Sequence, residues 1–124
     1  MKIYESKLTG PSGRPLPLAA AVEIDSLLFL SGQIALGEDV TIQTERVFDQ
    51  IEAVLAEAGL TADHIVKASV WLTEAADFAA FNTIYAQRLR APYPARSCVV
   101  SQLVLPNARI EIEVFAHRHR TRQG

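Results

Sequence analysis

Two stretches of strict residue-by-residue alternation constrain this chain more than anything else in it. In the first, Val66, Ala68, Val70 and Leu72 fall on one side of an extended run, and Lys67, Ser69, Trp71 and Thr73 fall on the other. In the second, between Arg109 and His117, the residues Ile110, Ile112, Val114 and Ala116 oppose Glu111, Glu113 and Phe115. Strands of this kind build a sheet with one dry face. The other face carries Trp71, Phe115 and two acids, a mixture too apolar for water and too polar for a closed core. Contact with another subunit resolves that conflict, so self-association is expected.

Helical periodicity fills the intervals. Val47, Ile51, Val54, Leu55 and Ala58 predict an amphipathic helix over Thr41 to Ala58, with Glu45 early and Gly59 as its C-cap. Thr73 is expected to cap a second helix. Glu74 and Asp77 suit its positive end, Phe78, Phe81, Tyr85 and Leu89 mark a buried stripe, and the helix stops before Pro92. Upstream, residues 1 to 5 form an edge strand and Thr9 to Pro17 an irregular loop. Ala19 to Ile24 and Leu27 to Ser31 make a hairpin around Asp25-Ser26. The order is hairpin, helix, strand, helix and two strands. That is α+β, and right-handed crossovers would put both helices on one side of the sheet.

Composition narrows the class. The 124 residues are 49% hydrophobic and suffice for a single domain over 1–124 that needs neither disulfide nor metal to fold. No apolar run approaches the length of a membrane span, and the first residues carry no hydrophobic targeting core. One cysteine cannot make an internal disulfide, so a reducing cytoplasm is expected. The net charge of −2 argues against an extensive nucleic-acid surface. Arg118, Arg120 and Arg122, interleaved with His117 and His119, are expected to form a solvated terminus.

Chemistry points first to Pro94-Ala95-Arg96-Ser97-Cys98. Pro94 sets the direction in which the chain enters a strand, and Arg96 stands at its mouth with a planar fork suited to a carboxylate or phosphate. Its alternative is an ordinary surface arginine. Cys98 shares the strand face of Arg96 and reads as a packing residue rather than a nucleophile, because no histidine can be argued close to it. Glu111, off the apolar face, could take a proton from water beside an arginine-bound anion, or could form a sheet-surface ion pair. Asn82, Ser31 and Gln33 add polar groups, and Gly32 allows a bulge or a close backbone approach. No phosphate-binding glycine loop, Gly-x-Ser-x-Gly elbow or His-Glu-x-x-His pair occurs. His117 and His119 lack the further ligands of a zinc site, so no metal is expected.

Ser31-Gly32-Gln33, Ala58-Gly59 ahead of Ile65-Val66-Lys67, Phe78 through Asn82 with Tyr85, Pro94 through Cys98, and Ile110 through Glu113 together resemble the reactive-intermediate deaminase family, called Rid or YjgF. The likeness spans nearly the whole chain. It implies a chorismate-mutase-like mixed sheet with two helices on one face, a homotrimer whose sheets form a central barrel, and a ligand pocket at each subunit interface. It also implies hydrolysis of small 2-imino and enamine acids such as 2-aminoacrylate to 2-oxo acids and ammonia, with no cofactor. By the same resemblance Arg96 binds the substrate carboxylate and Glu111 activates water, while Cys98, Asn82, Ser31, Gln33 and Leu18 line or shape the pocket. Family deaminases often have Gly-Pro-Tyr where this chain has Leu16-Pro17-Leu18, so an aromatic hydroxyl is absent, and the segment after Ile34 is shorter. A non-catalytic trimer that binds small carboxylate metabolites is the second expectation. A ribonuclease, the label attached to some relatives, is the third.

Overall fold

The structure is a computed structural model that describes residues 1–120. Seven strands and two helices follow in the order β1 (Lys2–Glu5), β2 (Ala19–Ile24), β3 (Leu27–Leu30), β4 (Gln33–Ile34), α1 (Val40–Glu57), β5 (Ile65–Leu72), α2 (Phe78–Arg88), β6 (Ala95–Val100) and β7 (Ile110–His117). One mixed sheet runs β1-β2-β3-β7-β5-β6, with β4 also paired to β7. The β5–α2–β6 unit is a parallel crossover between neighbours, and β7 enters antiparallel between β3 and β5. Among the described residues no helix is long and apolar enough to cross a membrane.

The expected α+β layering holds. Val47, Phe48, Ile51 and Leu55 of α1 and Phe81, Ile84 and Tyr85 of α2 share one core with Ala68, Val70, Leu72, Ile110, Ile112, Val114 and Ala116, so both helices cover the same sheet face. The hairpin turns at Asp25 and Ser26, whose φ values of 50° and 68° suit a two-residue turn between twisted strands. At the start of α1 the Asp39 carboxylate accepts from the Ile42 amide at 2.8 Å. At its end Ala58 is the cap, and Gly59, at φ +74°, takes the left-handed position after it.

Three expectations change. Ile65 pairs with Ala116 and Lys67 with Phe115, so two steps on β5 match one on β7. Val66 is the extra residue of a bulge, and Ile65 takes the core position expected of it. Thr73 does not cap α2; a short 3-10 turn over Ala75–Asp77 precedes the helix, with no side-chain cap on either. Phe78 consequently lies 43% exposed while Ile84 joins the buried stripe.

The basic end is also not a loose terminus. Arg118 pairs bidentately with Glu23 at 2.8 Å and donates to the Ala58 carbonyl, and Arg120 donates to the carbonyls of Asp63 and Pro92. The Arg118 fork, helped by a hydrogen bond from the Tyr4 hydroxyl, holds the Glu23 carboxyl at about 2, well below its ordinary value. Arg122 lies outside the described residues.

The second sheet face stays open in the single chain. Phe29 and Phe115 meet edge to face with ring centroids 4.9 Å apart, and Trp71 stands between Glu111 on β7 and Val99 on β6.

Candidate functional site

Arg96 sits on β6, the edge strand of the sheet, directly opposite Ala68 on β5. Residues directly opposite in a sheet share a face, so Arg96, Cys98 and Val100 lie on the side of Ala68, Val70 and Leu72, which the helices cover. The α2 helix turns an aromatic shelf toward the guanidinium. Its carbon lies 4.8 Å from the Tyr85 ring centroid, 5.4 Å from that of Phe81 and 5.6 Å from that of Phe78. Asn82, on the same helix face by spacing, accepts from Arg96 Nη1 at 2.7 Å. Among the described residues no carboxylate pairs with Arg96. Its position is therefore fixed by rings and one amide, and the remaining donors stay open to an anion.

A cleft of about 370 Å³ opens beside it, lined by Asn82, Tyr85, Ala86, Tyr93, Pro94 and Arg96. Cys98 is half-buried against the core, and burial pushes its thiol up despite the nearby arginine. A thiol held in its neutral form suits packing and not attack.

Glu111 occupies the other side of the sheet. It pairs with Trp71 on β5 and Ile34 on β4, on the open face. Phe29 pairs with Phe115 and Gln33 with Ile112, so four steps along β3 and β4 match three along β7. The extra residue makes a bulge at the strand break that contains Gly32. A Cβ on Gly32 would lie 2.2 Å from Glu111 Oε2, so the absence of a side chain there is what lets the carboxylate lie against the backbone. Burial, and then repulsion from Glu113, raises the Glu111 pKa. A half-buried carboxylate with a raised pKa is suited to accepting and returning a proton.

The remaining sequence candidates divide between these places. Ser31 Oγ donates to the Ala19 carbonyl at 2.7 Å and secures the bulge. Gln33 turns back to the Ser31 carbonyl at 3.2 Å, and Ile34, not Gln33, stands beside Glu111. Leu18 lies 42% exposed just before β2 and does not line the Arg96 cleft. Arg96 and Glu111 therefore do not meet within one chain, since the sheet separates them. Tyr85, Phe78 and Tyr93 were legible only as core or turn residues, although the spacing of Phe78, Phe81, Asn82 and Tyr85 already put them on one side of α2.

A second, larger hollow of about 690 Å³ lies elsewhere, lined by Gly37, Gln43, Thr73, Glu74, Asn107 and Arg109 among others. Its buried polar groups satisfy one another. The buried Gln43 amide donates to the carbonyls of Gly37 and Asn107 and accepts from the Arg109 amide, and Arg109 forks onto Asp77 at 2.7 and 2.9 Å. Among the described residues no cluster of histidine, cysteine, aspartate and glutamate could hold a metal ion.

Comparison with known proteins adds a family to this geometry. The family model described as Endoribonuclease L-PSP matches residues 14–118. The chain is 35% identical over 118 residues to the 3-aminoacrylate deaminase RutC of Acinetobacter baylyi, covering 86% of this chain and 94% of that protein. Among solved structures, a YjgF-family protein of Neisseria meningitidis superposes with a TM-score of 0.81 at 30% identity, over 97% of this chain and 96% of the other. A member of the YjgF/YER057c/UK114 family from Mycobacterium tuberculosis superposes with a TM-score of 0.85 at 26% identity, over 94% and 98%.

Proposed function

The chain belongs to the Endoribonuclease L-PSP family, known also as YjgF or Rid, and we propose that it hydrolyses small 2-imino and enamine acids of the 2-aminoacrylate type to 2-oxo acids and ammonia. The observation that carries this reading is Arg96: a guanidinium stacked on three aromatic rings, held by one amide and left without a carboxylate partner. Such a group is preorganised for a carboxylate that arrives with the substrate. The relative from Acinetobacter baylyi is named for an enamine acid, which agrees with that choice of anion.

The chemistry asks little more. A 2-aminoacrylate molecule shifts a proton to carbon and becomes 2-iminopropanoate, whose carboxylate lies on Arg96. Water attacks C2 while Glu111 accepts its proton and the C=N electron pair moves to nitrogen, and Glu111 then returns that proton to nitrogen, giving a neutral carbinolamine. As the C–N bond breaks, the hydroxyl proton passes to the leaving nitrogen, so that ammonia departs and the oxygen becomes the 2-oxo group. Water is the only co-reactant, and no cofactor is called for.

Because Arg96 and Glu111 lie on opposite sheet faces, their cooperation requires that Arg96, Asn82 and Cys98 of one copy face Glu111 and Gly32 of another. A homotrimer joined through the open faces meets this requirement and covers Trp71, Phe29 and Phe115. A cytoplasmic setting suits the lone half-buried Cys98. The net charge of −2 gives no support to a ribonuclease.

One observation favours a second reading: Leu18 supplies no hydroxyl before β2, which would suit a trimer that binds carboxylate metabolites without turning them over. Ammonia release from imino acids generated in situ, measured with and without the protein, decides between the two. Acceleration supports the deaminase, whereas 2-oxo acid binding without acceleration supports the binding trimer.

A further inference from the structure

We infer that the cleft between α2 and the Tyr93-Pro94 approach to β6 is a side-chain subsite that selects 2-imino acids with bulky apolar, and above all aromatic, side chains. This rests on the reading of Arg96 as the carboxylate anchor. A molecule gripped by Arg96 must project its side chain within a few ångströms of the guanidinium. The hollow found there measures about 370 Å³, which falls within the rough 300–1,000 Å³ range of pockets that enclose whole small-molecule ligands. The methylene of 2-aminoacrylate would leave most of it without contacts, and unfilled apolar space forfeits dispersion attraction.

Its walls are apolar and flat. Tyr93 is 50% exposed and stacks on Tyr85 with ring centroids 6.5 Å apart and planes 29° from parallel, so it offers a ready aromatic surface. Ala86 keeps the helix side low, and Pro94 has no amide proton to satisfy. The polar groups gather at one end, where Asn82 is already engaged with Arg96. The Tyr85 hydroxyl is buried behind the wall with no hydrogen-bond partner among the described residues, and burial raises its pKa, so it stays protonated.

The test uses the assembled protein and two matched series. The imines of alanine, leucine and phenylalanine are generated in situ by an amino-acid oxidase, and the affinities of the corresponding 2-oxo acids are measured by calorimetry. Apolar pockets discriminate by roughly 10-fold to 200-fold per methylene, so kcat/KM for the phenylalanine imine should exceed that for the alanine imine at least tenfold. The oxo-acid affinities should follow the same order. Ala86→Phe, which fills the cleft from an exposed helix position, and Tyr93→Ala, which removes its flat wall, should each lower that ratio about tenfold. Equal values across both series, or a ratio untouched by both variants, would overturn the subsite while leaving the deaminase intact. Preferential binding of phenylpyruvate without hydrolysis of any imine would uphold the subsite and reject the deaminase.

Discussion

Two of the hollows among the described residues have an arginine at the wall, and the two arginines are held on opposite principles. Around Arg109 the arginine and the buried groups beside it find their partners inside the chain: Asp77 takes both arms of the guanidinium, and Gln43 closes three hydrogen bonds with the surrounding backbone. Around Arg96 the charge is positioned but not neutralised, by the rings of Phe78, Phe81 and Tyr85 and the Asn82 amide oxygen. The larger of the two hollows is the one whose arginine is already paired. Size therefore says less about function than whether the charge in the wall has been answered by the protein itself.

The largest contrast should come from Glu111→Gln, which keeps hydrogen bonding but cannot accept a proton. Turnover should fall by about 10² to 10⁴, the usual share of a general base, while 2-oxo acid affinity changes little. Burial raises the Glu111 pKa, and the group must be ionised to act, so the acid limb of kcat should lie above its ordinary value of 4.5 and vanish in the variant. An unchanged pH profile would make Glu111 structural.

Arg96→Lys and Asp77→Asn should then separate the two hollows. Lysine keeps the charge but loses the planar fork. Since a charge-assisted hydrogen bond contributes about 1.5–3 kcal/mol, 2-oxo acid affinity measured by calorimetry should drop roughly tenfold to a hundredfold, with stability nearly unchanged. Asp77→Asn should do the reverse. The Arg109 side chain is 40% exposed, so solvent screening holds the loss in denaturant unfolding to about 1–2 kcal/mol, with ligand affinity intact. Loss of affinity in Asp77→Asn would erase the distinction. The smallest effect belongs to Cys98→Ser: the thiol is held neutral and half-buried, so steady-state turnover should stay within a fewfold of the parent.

Much of this layout could be read before any coordinates. The alternation at Val66 to Thr73 and Ile110 to His117 gave the strands, the dry face and the open face, and the helical period gave α1. The failures were local. Val66 lost its core place because a bulge inserts one residue, which no side-chain pattern announces. Thr73 was passed over as a cap because the chain makes a 3-10 turn first. Arg118 was expected in solvent because its partner Glu23 is far away in sequence. The site was half legible. Arg96, Asn82, Cys98, Gly32 and Glu111 were singled out, and Gly32 acquired its reason in the Glu111 carboxylate. Their division between two sheet faces could not be read, since it depends on the pairing of β6 with β5 and of β5 with β7.

That division is the central claim, and complementation tests it most directly. Arg96→Ala and Glu111→Gln proteins, each inactive alone, are unfolded together in equal amounts, refolded and assayed for ammonia release. If each site takes Arg96 from one copy and Glu111 from another, random assembly restores both groups at about a quarter of the sites, and activity should recover to about that fraction of the parent. If both groups act within one chain, no assembly contains an intact site and the mixture stays inactive, which would contradict the account.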